Sequence, residues 1–270
     1  MTTRRLRNIL RKEWELLFTD PNTALLVTLL PLLVVGQGVV YIWLAFRFGG
    51  QGMLESPIFQ TALDRLLQAV PQAGALPEPE QLLVLLLSQF QFFLLLIPVM
   101  IAVGIATFSI VDEKLTGSLE ALLATPVRTW ELLLGKTLAG AVPALIMTWV
   151  SAGVFLLVVN LLGWGDLSRL VLSPSWFLIL FLLTPAVAIL SFMLGVIGSS
   201  RAKDAKGAQN MVLIIIFPIL ALIGVQVTGI VWFTPTLTLL LALAILGADY
   251  IALRAAVRLF QRESITIQWR

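Results

Sequence analysis

The sequence predicts an all-α membrane protein with six transmembrane helices, an N-terminal interfacial amphipathic helix and both termini cytoplasmic. Three observations predict it. First, 59% of the 270 residues are hydrophobic and only 12% are charged, with a mean hydropathy of +0.98. A soluble domain carries about 25% charged residues. Second, six stretches are apolar over roughly the 20 residues that a bilayer crossing needs. Third, the lysines and arginines segregate to one side of those stretches, as cytoplasmic loops require.

Residues 4–18 have helical period, with Leu6, Ile9, Leu10, Trp14, Leu17 and Phe18 on one side. Arg4, Arg5, Arg7, Arg11 and Lys12 are basic. This pattern suits a helix lying in the inner membrane interface. A solvated basic leader is the plainer alternative. A secretory signal peptide is not expected, because the apolar run that follows is too long and lacks a small-residue cleavage site.

The six candidate spans run over about 24–46, 82–111, 132–162, 176–197, 210–232 and 237–257. The second and third, near 30 residues, would extend on the order of 45 Å. They must therefore tilt, bend or project beyond the bilayer. The basic residues sit five in the N-terminal segment, three at 112–136, three at 201–206 and four in the C-terminal tail. The other side holds Arg47, Arg65 and Arg169. Tryptophans 43, 164, 176 and 232 fall near outer span ends and Trp14 and Trp130 near the inner boundary, where anchors belong.

The outer loop, 47–80, starts with Gly49, Gly50 and Gly52. Phe59, Leu63, Leu66, Leu67 and Val70 recur at helical spacing within it, so it is expected to hold a short amphipathic helix. It is a lid over an exit path or a plain connector. Spans one to five carry Pro31, Pro98, Pro143, Pro185 and Pro218, which membrane helices tolerate when neighbours satisfy the freed carbonyls. Kinks of this kind suit a transporter that changes shape, and equally ordinary packing. Gly224, Gly229 and Pro235 interrupt an uncharged region. A fifth span that stops early before a re-entrant segment is one reading of it.

The stretch 112–136, DEKLTGSLEALLATPVRTWELLLGK, is longer than a connector needs. Leu119, Leu122 and Leu123 line one side of a short helix, with Glu120 off that side. Thr116, Gly117 and Ser118 suit its start, and Pro126 ends it. The charge count places it in the cytoplasm, where it is built to touch another protein.

The search for chemistry is mostly negative. The chain has no cysteine and no histidine. That removes disulfides, His or Cys ligation of zinc or haem, and Ser-His or Cys-His catalysis. The central parts of spans one to five hold no ionisable residue. Their polar groups are Gln37, Gln89, Gln91, Thr148, Ser151, Thr184, Ser191, Gln226 and Thr228. Most are expected to form helix–helix hydrogen bonds, with Gln37, Gln89, Gln91 and Gln226 as candidates to line a path. Asp249, in the inner half of the sixth span, either faces a cavity or reaches the interface beside Arg254. A proton relay would need more such groups, and no acid pair or activated nucleophile converges for catalysis. Gly135-Lys136-Thr137 resembles the end of a phosphate-binding loop, but the glycine that motif needs is Trp130 and no strand precedes it. The chain shows no energy source of its own.

The same stretch resembles the segment after the second span in ABC-2 type transporter permeases. The matching residues are Glu113, Gly117, Ser118, Leu119, Glu120, Leu122, Leu123, Thr125, Pro126, Val127, Glu131, Leu132, Gly135 and Lys136. The remainder of the chain fits that family in layout, as one transmembrane domain over 1–270 without an ATPase domain. The resemblance implies an export permease of the cell membrane. Two such subunits, identical or related, pair with two copies of a separate ATPase. ATP and Mg bind that partner, and this chain binds no cofactor.

By the same resemblance, residues 112–131 hold the coupling helix, with 113–127 in a groove of the ATPase. Lys114 and Glu120 would form its polar rim. The N-terminal segment 1–22, with Arg7, Arg11 and Trp14, would be the connecting helix. Spans one and two with the outer loop occupy 24–111, spans three to six 132–257, and a cytoplasmic tail 258–270. An interior without charge favours hydrophobic or amphiphilic cargo. Haem is disfavoured by the absence of histidine. No catalytic activity and no nucleic-acid partner are expected; lipid surrounds the chain. The alternative function is a membrane scaffold or assembly subunit that uses the same helix only for docking.

Overall fold

The computed structural model describes residues 2–49, 56–102, 104–105, 129–201 and 216–267. All regular structure among them is helical. The helices are α1 (Thr2–Thr19), α2 (Pro21–Phe48), α3 (Pro57–Ala69), α4 (Glu78–Phe93), α5 (Thr129–Leu161), α6 (Gly165–Val171), α7 (Pro174–Leu178), α8 (Thr184–Arg201), α9 (Ile216–Val227) and α10 (Pro235–Ile267). Five segments are long and apolar enough to cross a membrane: Thr23–Phe48, Glu78–Ala102, Thr129–Leu161, Pro174–Ser199 and Pro235–Leu259. They match five of the six expected spans. Where the fifth was expected, α9 contributes 12 described residues, about 18 Å. That length alone does not cross a bilayer core of about 30 Å.

The second span is the axis of the packing: 83% of its most apolar window is buried, against 28% for α2 and 22% for α10. Helical periodicity explains this. Leu83, Leu87, Phe90, Leu94, Ile97 and Ile101 form one stripe and pack in a cluster with Val27, Val35 and Ile42 of α2 and Ala144, Ala152 and Phe155 of α5. Phe92, Leu95 and Val99 form the opposite stripe. They pack with Ile179, Leu183 and Val187 ahead of and within α8, Ile219 and Ile223 of α9 and Ala242 of α10. A helix that is apolar all round belongs inside. α5 is the second hub and touches α1, α2, α6, α8 and α10. At 33 residues it extends about 50 Å, as the long third span was expected to do.

The prolines act differently from one another. Pro31 and Pro143 lie inside continuous helices. Ahead of Pro98 the second span breaks into tight turns at Leu94 and Leu95, where Leu95 N–H donates to the Phe92 carbonyl. Ahead of Pro185 the chain widens into a π-turn at Ile179–Leu183. Proline cannot donate to the carbonyl four residues back. The Ile179 carbonyl accepts both the Thr184 N–H and, at 2.7 Å, the Thr184 hydroxyl. Pro218 falls in the first turn of α9 as described rather than at its centre.

Ring insertions against glycine draw the helices close. A Cβ on Gly140 of α5 would lie 2.0 Å from the Phe192 ring of α8. Small residues of this kind let membrane helices approach, since packing rather than hydrophobicity holds them together.

The loop 47–80 forms α3, as its periodicity predicts. Ser56 precedes it in extended geometry and Pro57 opens it, the position where a missing N–H is harmless. Leu66 is buried in the main core, with Phe59, Leu63, Leu67 and Val70 packed against it. A Cβ on Gly229 would lie 2.6 Å from the Ala62 Cα, and Gly229 has a φ of +70°. The turn after α9 is thereby seated directly on α3. Gln226 fixes it: its Oε1 accepts from Phe233 N–H at 3.1 Å.

Two anchor expectations change. Trp176 is only 4% exposed and sits in the main core, so it is a packing residue. Trp14 donates its indole N–H to the Ala139 carbonyl at 2.8 Å. The membrane hydroxyls also differ from expectation. Thr148, Ser191 and Thr228 donate to carbonyls three or four residues back in their own helices rather than across to a neighbour. That local bond is always within reach of a helical Ser or Thr.

Candidate functional site

The coupling residues Glu113, Lys114, Gly117, Ser118, Leu119, Glu120, Leu122, Leu123, Thr125, Pro126 and Val127 lie outside the described residues. The described chain resumes at the base of α5, and what α5 grips there is visible. α1 lies against it. Lys136 Nζ and Glu13 Oε1 are 3.3 Å apart, with side chains 4% and 16% exposed. Trp14 bonds the Ala139 carbonyl one turn further on. Gly135 gives α1 room, since a Cβ there would meet Ile9 at 2.9 Å. Leu17 completes the apolar side of α1. Among the candidate residues of α1, Trp14 is the one that grips α5. Arg7 and Arg11 lie on the same flank of α1 as Trp14 but are exposed. Arg11 pairs with Glu15 at 2.8 Å, both well exposed, and such a pair contributes little to stability.

Glu13 carries no signal in the sequence. Lys136 does, as a residue of the ABC-2 resemblance and as the middle of a rejected phosphate loop, but without its partner. In the structure Gly135-Lys136-Thr137 lies within α5, so no loop surrounds it. A buried ion pair needs close geometry to offset desolvation. Losing Lys136 removes that partner from the largely buried Glu13 carboxylate.

The four candidate path glutamines separate into two pairs. Gln37 and Gln89 line a cavity of about 510 Å³ between α2 and the second span, to which Phe59 of α3 and Val227 of α9 also contribute. Gln91 and Gln226 line a smaller cavity of about 240 Å³ beside Ser88, Ser173, Ser175 and Trp232. Helix geometry accounts for the split. Gln89 and Gln91 are two residues apart, about 200° around the axis, so one helix presents them to opposite sides.

The larger cavity is apolar apart from Gln37, Tyr41 and Gln89. Gln37 Nε2 donates to the Tyr41 hydroxyl at 2.9 Å. Gln89 is 5% exposed, and neither its Nε2 nor its Oε1 has a hydrogen-bond partner among the described residues. Leaving such atoms unpaired costs about 1–3 kcal/mol each. Phe90 forms one wall, stacked on Phe155 with centroids 3.8 Å apart. Gly38 admits that ring, since a Cβ there would lie 2.1 Å from it. The cavity opens between α2 and the second span, where Tyr41 of α2 is 61% exposed and Phe93 and Met100 of the second span more than a third. Only the glutamines and their polarity were legible in advance. Tyr41, Phe93 and Met100 look like ordinary span residues until α2 and the second span are placed side by side.

Asp249 does not reach out to Arg254. It is 7% exposed and its carboxylate has no partner among the described residues. The Arg254 guanidinium lies over the Tyr250 ring at 4.6 Å. Asp249 sits between Ala242 and Ala256, which pack into different clusters, on the side of α10 turned to α8. Among the described residues no group of acids gathers to hold a metal.

A bundle of long apolar helices of this kind is the fold of a multi-pass membrane protein. The chain belongs to the ABC-2 family of transporters: the family model described as "ABC-2 family transporter protein" matches residues 7–258. It is thus a membrane permease subunit of an ABC transporter, a family that generally works with an ABC ATPase. No curated protein and no solved structure matched the chain significantly.

Proposed function

We propose that this permease exports a hydrophobic or amphiphilic substrate from the cytoplasm or inner leaflet, driven by a separate ATPase subunit docked on residues 113–127. Two permease copies and two ATPase copies make the working assembly. ATP and Mg reside on the ATPase. Both termini are cytoplasmic, α1 lies along the inner interface as the connecting helix, and the fifth of six membrane segments runs from about Asn210 through α9.

The observation that supports this reading most is the grip of α1 on the base of α5. α5 begins directly after the stretch that would receive the ATPase. Glu13–Lys136, Trp14–Ala139 and the Ile9–Gly135 contact make α1 and α5 one rigid body. A push at 113–127 would then reach α5 and, through its packing, α2, α8 and α10. Closure about a packed interface is an established way to convert local motion into domain motion. The cavity at Gln37 and Gln89 is the cargo site in this reading.

The test is co-purification of the chain with an ATPase whose hydrolysis is stimulated by cargo. Changing Leu119 and Leu122 to Asp should abolish both. A double variant that still binds the ATPase and hydrolyses ATP normally would overturn the coupling assignment. Binding retained without any stimulation by cargo in the parent chain would favour a docking scaffold.

A further inference from the structure

We propose that the flank of α1 bearing Arg7, Arg11, Trp14 and Phe18 binds anionic phospholipid, with the two arginines on the headgroup phosphate and the two aromatics against the acyl chains. The inference rests on the reading of α1 as an inner-interface helix and names the lipid that it selects.

Depth carries the first half of the argument. Lys136 is the last charged residue of α5, and 137–161 is uncharged. A hydrocarbon core about 30 Å thick takes about 20 helical residues, so its edge on this side lies close to Lys136. α1 climbs α5 across that edge: Ile9 meets Gly135, Glu13 meets Lys136 and Trp14 meets Ala139. Arg7 and Arg11 therefore lie at headgroup level, and Trp14 and Phe18 at the edge or inside it. α2 begins at Pro21 and is itself a membrane span, with its exposed Leu25 and Leu29 starting about two turns beyond Phe18.

Rotation about α1 carries the second half. At about 100° per residue, Ile9, Glu13 and Leu17 share the face that α5 takes. Asn8, Lys12 and Glu15 share a polar, exposed face. Arg7, Arg11, Trp14 and Phe18 form a third stripe between them, and all four are exposed, Phe18 by 53%. A basic and aromatic stripe at this depth suits a lipid surface. Charge selects the headgroup. Glu13 is turned to Lys136, so Glu15 is the acid beside the stripe, paired with Arg11. Arg7, Arg11 and Lys12 outnumber it. The Arg11–Glu15 pair is well exposed and weak, and a guanidinium fork matches phosphate oxygens. A net-anionic headgroup answers the excess charge, whereas phosphatidylcholine carries its own cation.

The chain contains no cysteine, so Leu10→Cys places one thiol beside Arg7, Arg11 and Trp14. A photoactivatable label on that thiol is fired in the full-length chain, held in nanodiscs of phosphatidylglycerol and phosphatidylcholine in equal amounts. Lipid adducts are then counted by mass. Phosphatidylglycerol adducts should outnumber phosphatidylcholine adducts at least about fivefold. Arg7→Gln with Arg11→Gln should bring the ratio to about one. Lys203→Gln with Lys206→Gln should leave it unchanged, and so should inorganic phosphate, because the stripe takes a lipid rather than the free anion. The proposal is overturned if the parent ratio is near one, if the double arginine variant keeps the parent ratio, if phosphate abolishes the preference, or if in the assembled transporter the label reaches the ATPase in place of lipid. The parent ratio needs no further variant, so a misfolded arginine variant does not shelter the idea. Lipid adducts at a ratio of one leave α1 in the interface and remove only the choice of lipid. No lipid adducts at all remove the interfacial reading as well.

Discussion

Glu13 of α1 and Lys136 of α5 form an ion pair at 3.3 Å with the lysine side chain 4% exposed. Removing one member leaves the other buried, at a cost of about 3 kcal/mol. Lys136→Met should therefore lower the thermal midpoint in detergent, and the double variant Glu13→Leu, Lys136→Met should recover part of the loss. It should also cut ATP hydrolysis by the assembled transporter. Equal midpoints for parent and Lys136→Met would mean the pair does not hold α1 in place.

Gly140 and Phe192 make a second seam. A methyl group at 140 would sit 2.0 Å from a ring that is 1% exposed, and overpacking of this kind costs about 1–3 kcal/mol. Gly140→Ala should destabilise the chain, and pairing it with Phe192→Leu should bring stability back above the single variant. Additive losses in the double variant would place the strain elsewhere.

At the α3 end, Gly229 combines a φ of +70° with a Cβ position 2.6 Å from the Ala62 Cα. Alanine there meets both a left-handed backbone penalty of about 1–2 kcal/mol and backbone that cannot rotate away. Gly229→Ala should lower the thermal midpoint more than Gly224→Ala, whose added Cβ meets nothing within 4 Å. Side-by-side melting of the two variants checks this, and equal shifts would refute it.

Asp249 gives the sharpest separation of structure from function. A buried carboxylate without a partner destabilises its helix packing, so Asp249→Asn should raise the thermal midpoint. If the residue serves only packing, ATP hydrolysis and transport are unchanged. A variant that is more stable yet inactive would move Asp249 into the transport machinery.

Five of the spans were legible because apolar length is a one-dimensional signal. The α3 helix was legible from period alone. What the sequence could not show is which face of a span meets which neighbour. The four glutamines were marked correctly as polar, yet only Gln37 and Gln89 share a cavity, and the 200° between Gln89 and Gln91 was readable in principle. Trp176 was taken for an anchor because it stands at a span end, and the packing of α7 buries it. Glu13 escaped notice because its partner is 123 residues away in the chain, and a lone glutamate in a basic helix carries no pattern. The burial of Asp249 on the side of α10 turned to α8, rather than beside Arg254, depended on helix rotation in the same way.

The central claim is that residues 113–127 receive the ATPase. The chain contains no cysteine, so Leu119→Cys supplies a single thiol. That thiol is labelled with a photoactivatable crosslinker in the assembled transporter and the products are separated by mass. The account expects a crosslink to the ATPase subunit, absent when the label is moved to Tyr41→Cys on the cavity mouth. An ATPase that co-purifies in full yet never crosslinks from position 119 would contradict it.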